Sequence, residues 1–230
     1  ISLQSTRQHP TDTSPMHFGW SLSVYDDISV SINGNDDGNT WPSVIVGAPQ
    51  RFWGSNANGN DRSGSIVFLR GDNLLPVGNS FETQYPIPLP HFVPNGTNFG
   101  WDIEVLDDLD NDGRREIAVS APGSAAGNGT GSPTLPNGAQ AGRVFVLSQP
   151  YNIAQNFNFL FPAVIATLQG QTLDNLGSSM TTIGDVSGDG MVDLAVSSPN
   201  SGLTNASGPT ITNPLAGAGK VAVTLGIPSR

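Results

Sequence analysis

The chain has 230 residues, of which 37% are apolar, and carries a formal net charge of −10 from 9 basic and 19 acidic side chains. A surface this acidic repels phosphate backbones, which excludes nucleic acid as an expected partner. Cysteine is absent from the sequence, so thiol catalysis and zinc–thiolate sites are excluded, and no apolar run approaches the roughly 20 residues of a membrane span.

One sequence pattern begins at residue 17 and recurs three times. Each copy opens on a large apolar residue followed by glycine, at Phe18, Phe99 and Leu176. An alternation of apolar and polar residues then predicts a strand, because period two is the spacing of a strand with one buried face. The apolar positions of this run are Trp20, Leu22 and Val24, then Trp101, Ile103 and Val105, and more weakly Met180 and Thr182.

Two more strands are predicted in every copy. One ends in two small residues and a proline, at Pro49, Pro122 and Pro199, where the missing N–H stops the ladder. The other follows a Gly-, Asn- and Ser-rich stretch. Residues 157–168 are predicted to add an outer strand to the second copy. The predicted units are residues 17–94, 95–170 and 171–230, the last of them incomplete, preceded by a segment 1–16 that can serve as a closing strand.

Two acidic loops have the spacing of a calcium site. Oxygen-bearing side chains occupy positions one, three, five and nine, at Asp108, Asp110, Asp112 and Glu116 in one loop and at Asp185, Ser187, Asp189 and Asp193 in the other. Ca²⁺ takes six to eight oxygen ligands at about 2.3–2.6 Å, and position seven, Arg114 or Met191, adds a backbone carbonyl. Glycine at position six permits the tight turn. The sequence therefore predicts two Ca²⁺ sites.

The first unit departs from this spacing. Its acidic loop is several residues longer than the other two, and its acidic and polar side chains are spread out. Asp27 and Asp37 are the candidate ligands there. We interpret this loop as a solvated acidic turn and not as a third Ca²⁺ site.

The order Phe-Gly, acidic loop, Gly-Ala-Pro and Gly-x-Val resembles the FG-GAP repeat of integrin alpha-subunit β-propellers and their relatives, over about residues 17–226. The resemblance implies an all-β, propeller-like fold with three blades of about four antiparallel strands, in which each calcium loop joins the first two strands. It also implies an extracellular module for adhesion, protein–protein binding or structural assembly, and not an enzyme.

Three blades raise a problem of closure, because propellers close with roughly four to eight blades. The ring is expected to be completed by further chain, by a second copy or by a partner protein. Residues 1–6 are predicted to pair with the third unit of the same ring or of a neighbour by strand addition.

An extracellular or cell-surface location is also expected from the sequence itself. Calcium sites of moderate affinity fill where the ion is plentiful. The first residue is Ile1, as in a product whose signal peptide has been removed. Sequons at Asn95, Asn128 and Asn205 are possible glycosylation sites in predicted loops.

Two other functions remain open at this stage. Trp53 in a polar loop is a candidate contact for a glycan, as in a carbohydrate-binding propeller lectin. The chain can also be a non-catalytic propeller portion of a larger secreted enzyme. Catalysis by the chain itself is not expected, because it contains no Gly-x-Ser-x-Gly motif and carboxylates held by a cation are poor acids and bases.

Overall fold

A computed structural model describes residues 17–25, 43–49, 64–70, 97–111, 113–124, 140–148, 164–171, 174–201 and 219–224. These residues form ten strands and no helix, in three antiparallel sheets. The predicted all-β class is therefore confirmed. Within the described ranges, no helix is long and apolar enough to cross a bilayer.

Each sheet collects strands in chain order. The first contains β1 (Leu22–Tyr25), β2 (Ser43–Ala48) and β3 (Ser65–Arg70). The second contains β4 (Ile103–Val105), β5 (Ile117–Ala121), β6 (Arg143–Leu147) and β7 (Val164–Gln169). The third contains β8 (Met180–Thr182), β9 (Leu194–Ser198) and β10 (Lys220–Thr224).

The local chemistry of the sequence accounts for these strands. β2, β5 and β9 each end at the residue before a proline, as predicted. β7 is the outer strand predicted for the second unit, and among the described residues it begins at Val164. The first hairpin has the same register in all three sheets, with the pairs Leu22–Val46, Ile103–Val119 and Met180–Val196.

Two apolar clusters hold the sheets together. The first joins Tyr25, Ile45 and Ile66 of the first sheet to one face of the second, and the other joins the opposite face of the second sheet to the third. Because both of its faces are covered, the second sheet has β5 and β6 buried along their whole length. In contrast, β1 and β10 keep one exposed face.

Hydrogen bonds also cross between the sheets. The Ser21 hydroxyl donates to the Gly100 carbonyl at 2.9 Å, and the Trp101 indole donates to the Ser178 carbonyl at 3.1 Å. The rings of Trp20 and Trp101 pack with centroids 4.6 Å apart. Trp20, Trp101 and Ser178 occupy the same position of the repeat, so equivalent positions meet at the boundaries between sheets.

Parts of the predicted propeller are not shown. Among the described residues the first and third sheets have three strands, and no closed ring is present. The segment 1–16 and Trp53 lie outside the described residues, and the proposed unit boundaries at 94 and 170 remain predictions.

Gly142 tests how closely the sheets approach. It has φ of 77°, and a Cβ there would overlap the Leu176 backbone of the next sheet. We expect Gly142→Ala to cost about 1–2 kcal/mol for the left-handed backbone and a further 1–3 kcal/mol for overlap, with each kcal/mol lowering Tm by about 2–4 °C. Calorimetry of the purified chain measures this loss.

Gly184→Ala is the matched control. Gly184 has φ of 74° and nothing within 4 Å of a Cβ, so this variant carries only the backbone cost. Equal losses of Tm in the two variants would contradict the close approach of the second and third sheets.

Candidate metal centre

The two acidic loops close the first hairpins of the second and third sheets. We call residues 108–116, between β4 and β5, loop two, and residues 185–193, between β8 and β9, loop three. Both take left-handed backbone at positions four and six, where Asn111, Gly113, Gly188 and Gly190 have φ of 59°, 87°, 81° and 89°. Glycine and asparagine tolerate this conformation, so the loops turn where the sequence predicts.

The aspartate at position one is held by its own loop. The Gly113 amide donates to Asp108 Oδ2 at 2.8 Å, and the Gly190 amide donates to Asp185 Oδ2 at 2.9 Å. Position six thus supplies both a turn and a donor. The same bond in both loops shows that they share one fold.

The acidic residue at position nine is buried and points back across the loop. Glu116 Oε2 accepts from the Leu109 amide, and Asp193 Oδ2 accepts from the amides of Val186 and Ser187 at 2.8 and 2.9 Å. Neither Glu116 nor Asp193 is exposed. A buried carboxylate is costly unless hydrogen bonds or a counter-charge compensate it, and these amides supply part of that compensation.

Loop two brings three carboxylates together. Ligand oxygens of Asp108, Asp110 and Glu116 lie within 4.8 Å of one another. Their environments run from exposed Asp110 through half-buried Asp108 to buried Glu116. An all-oxygen set of carboxylates is the donor chemistry that a hard divalent cation prefers, so these residues fit Ca²⁺. Asp112 lies outside the described residues.

The predicted ligands of loop three lie less close together than those of loop two. Asp185, Ser187 and Asp189 are all exposed, and its carboxylates are not grouped as closely as those of loop two. Asp185 Oδ1 instead accepts from the amides of Gly188 and Asp189, at 2.6 and 3.1 Å. The backbone carbonyls of Arg114 and Met191 remain predicted ligands.

Side chains outside the two loops tie each loop to a neighbouring sheet, and no motif in the sequence predicted these residues. Asp107 Oδ2 accepts from the Val192 amide of loop three at 2.8 Å. The Tyr25 hydroxyl of the first sheet donates to the Arg115 carbonyl of loop two at 2.6 Å. The sequence shows Asp107 only as an additional acidic residue directly before position one of loop two. That position does not predict its hydrogen bond to the Val192 amide.

The approach to loop two along β4 is also acidic. Asp102 accepts from the Met180 amide at 2.6 Å, and Glu104 is half-buried between the second and third sheets. Burial raises the pKa of Glu104 above its ordinary value, and the Asp102 charge raises this pKa further, against a hydrogen bond from the Thr182 backbone.

Several other predicted residues are not described. The first acidic loop with Asp27 and Asp37, and the sequons at Asn95, Asn128 and Asn205, lie outside the described ranges. A metal site in the first unit and glycosylation therefore stay predictions.

Comparison with protein families identifies one repeat. Residues 99–147 match the FG-GAP repeat, and this segment contains β4, loop two, β5 and β6. Over residues 99–147, the resemblance inferred from the sequence is thereby confirmed. A comparison with curated proteins finds no match. An FG-GAP repeat suggests a β-propeller protein-binding module.

Glu104 gives a pH test of the packing beside loop two. An acid whose pKa is raised by folding stabilises the fold below its unfolded pKa, which is the ordinary glutamate value of 4.5, and this stability is lost as pH rises through the folded pKa. Glu104→Gln stays neutral and can still accept from Thr182. We therefore expect the variant to melt above the wild type at pH 7.

The same pair of proteins is then melted at pH 4 in metal-free buffer. There most of the difference in Tm should disappear, because wild-type Glu104 is mainly protonated in both the folded and the unfolded chain. A constant difference across this pH range would show that the Glu104 charge is not responsible.

Proposed function

We propose that this chain is an extracellular, calcium-stabilised β-propeller module that binds a protein partner in adhesion or assembly. The observation that carries the proposal is the convergence of Asp108, Asp110 and Glu116 in a loop of the segment that matches the FG-GAP repeat. Three sheets with equivalent hairpins support the propeller architecture.

The role assigned to the ion is structural. Three carboxylates within 4.8 Å repel one another, and burial of Glu116 strengthens that repulsion. When bound, Ca²⁺ supplies the positive charge that offsets the repulsion. Asp108 lies at the start of loop two and Glu116 at its end. One ion bound to both carboxylates would therefore fix the register of β4 and β5. The loop carboxylates have no catalytic role in this proposal.

We expect calcium binding in loop two to stabilise the neighbouring sheets as well. Tyr25 from the first sheet bonds to Arg115 inside loop two, and Asp107 beside loop two bonds to Val192 inside loop three. Ordering loop two therefore orders contacts to the sheet on either side. We assign the second site to loop three, with weaker binding, since Ser187 replaces a carboxylate and position one is already bonded to three amides.

The same chemistry supports the extracellular location in this proposal. Calcium modules with dissociation constants of about 10⁻⁴–10⁻³ M are filled outside cells, where the ion is abundant. The three sequons are consistent with this location.

Thermal melting with and without calcium tests the proposal. We expect chelator-treated protein to gain Tm on addition of Ca²⁺, since a ligand at 100 times its dissociation constant stabilises by about 2.7 kcal/mol, or roughly 5–11 °C here. Asp108→Asn should remove most of that gain. Native mass spectrometry should then report one bound ion fewer.

Asp102→Asn is the matched control. It makes the same chemical change in the same sheet, where Asp102 bonds to backbone amides outside loop two. Its Tm should fall in both buffers while the calcium-dependent gain persists. If calcium leaves the wild-type melt unchanged and no ion is seen by mass spectrometry, the metal role is wrong.

A further inference from the structure

Each acidic loop is held at one point by a side chain that belongs to the preceding sheet. In loop two that point is the Arg115 carbonyl, which accepts from the Tyr25 hydroxyl at 2.6 Å. In loop three it is the Val192 amide, which donates to Asp107 Oδ2 at 2.8 Å. Arg115 and Val192 both occupy position eight, directly before the buried acidic residue at position nine. The same place in both loops is therefore held from outside the loop.

The Tyr25 bond fixes the peptide group that leads to Glu116. The Arg115 carbonyl and the Glu116 amide belong to one planar peptide group. Its oxygen accepts from Tyr25, and its N–H donates to the Asp107 carbonyl at 3.3 Å. The Glu116 carbonyl in turn accepts from the Leu106 amide at 2.8 Å. Because this peptide group is held on both sides, the backbone that carries the Glu116 carboxylate is fixed.

The Asp107 bond acts on a peptide group that carries a predicted ligand of loop three. The Val192 N–H and the Met191 carbonyl belong to one peptide group, and in a trans peptide they point in opposite directions. By holding this N–H, Asp107 sets the direction of the Met191 carbonyl, which is the backbone ligand predicted at position seven. Asp193, the acidic residue at position nine, follows Val192 directly. The bond to Asp107 therefore lies between two predicted ligands.

The residues that hold position eight differ between the two boundaries. Tyr25 lies seven residues after Phe18, and the residue at the same distance after Phe99 is Leu106. Leu106 has no hydroxyl and packs in the cluster between the second and third sheets. Asp107, one residue further on, makes the contact to the following loop. The contact recurs although the residue does not, which indicates that the loop requires the contact.

The buried end of loop two is the end that the first sheet holds. Tyr25 is fully buried, and a hydrogen bond in a buried place is stronger than one in water. At the other end, the bond between the Gly113 amide and Asp108 is exposed to solvent. The loop therefore meets solvent on the side of Asp108 and Asp110, and its Glu116 side depends on the contact between the sheets.

We propose that Tyr25 and Asp107 are positioning residues for the two calcium sites, so that the affinity of each loop depends on the packing of its sheet against the preceding sheet. The inference rests on the calcium function proposed above and concerns the regulation of the same sites. A loop released at position eight has to order this segment when it binds the ion, and the ordering lowers its affinity. By linkage, a bound ion strengthens the contact with the preceding sheet by the same factor.

Calcium titration of a single-site protein tests the role of Tyr25. Asp185→Asn removes the predicted position-one ligand of loop three, so that loop two is the site that remains. In this background Tyr25→Phe removes one hydroxyl and keeps the ring that packs in the core. Its Kd for Ca²⁺, measured by isothermal titration calorimetry, should rise roughly two- to tenfold, as expected for the loss of one hydrogen bond.

Ser21→Ala is the matched control in the same background. It also removes a hydroxyl that donates across the boundary between the first and second sheets, here to the Gly100 carbonyl at 2.9 Å. Ser21 precedes β1, whereas Tyr25 is the last residue of that strand. Both variants should lower the Tm of the calcium-free protein, but only Tyr25→Phe should raise the Kd. Equal Kd values would leave Tyr25 with a structural role alone and overturn its positioning role.

The role of Asp107 is tested in an Asp108→Asn background, where loop three is the site that remains. Asp107→Ala removes the acceptor of the Val192 amide and should raise the Kd for Ca²⁺ roughly tenfold. Asp107→Asn keeps a side-chain oxygen that can accept from the same amide, so its Kd should stay closer to that of the background protein. Equal Kd values for the two variants would show that Asp107 acts by its charge and not through this bond.

Asp102→Ala is the control for Asp107→Ala. Asp102 also accepts from an amide of the third sheet, that of Met180, at 2.6 Å, but this amide lies outside loop three. The substitution removes the same carboxylate and a bond across the same boundary. It should lower the Tm and leave the Kd of loop three unchanged. A rise in Kd as large as that of Asp107→Ala would contradict a specific role for position eight.

The proposed calcium function and this inference fail in different ways. A wild type that takes up no Ca²⁺ in the titration rejects both. A wild type that binds Ca²⁺ with a Kd that neither Tyr25→Phe nor Asp107→Ala changes retains the calcium function and rejects the positioning roles. Both substitutions only remove atoms, so the variants should fold, and circular dichroism before each titration checks that their strands are retained.

Discussion

The packing of one apolar sheet face on the next is the interaction on which the rest of this structure depends. A hairpin with two apolar faces is stable only when neighbours cover both, and the second sheet satisfies this condition with β5 and β6 fully buried. The same stacking brings the hairpin ends together, so that Tyr25 reaches loop two and Asp107 reaches loop three. The geometry around the candidate metal centre is therefore a consequence of how the sheets stack.

Within the acidic loops, backbone amides carry much of the organisation. Position one accepts from position six, and position nine accepts from position two, in both loops. These bonds orient the buried carboxylates of Glu116 and Asp193. Loop two nevertheless concentrates three carboxylates at one point. Such an arrangement is favourable for a cation because the ligands are positioned in advance, and its electrostatic cost falls when positive charge is present.

Glycine is the second recurring feature of the boundaries between sheets. Glycine recurs wherever the start of a third strand meets the Phe-Gly turn of the following sheet, because the two backbones approach too closely for a side chain. Gly219 keeps the same left-handed φ, 75°, without such a neighbour among the described residues. Glycine at this place in the repeat therefore marks the close backbone contact at both boundaries between the described sheets.

The sequence by itself determined the strands and the form of the loops. Period-two apolar runs, the prolines after β2, β5 and β9, and glycine at position six act through local chemistry, so they are readable in the order of residues. The convergence of Asp108, Asp110 and Glu116 was predictable for the same reason, since all three belong to one short loop. Only the tertiary structure decided the bonds of Tyr25, Asp102 and Asp107, whose partners are 90, 78 and 85 residues away. Those contacts, and the raised pKa of Glu104, depend on which sheet faces meet, and no local pattern specifies the distance or angle between two stacked sheets.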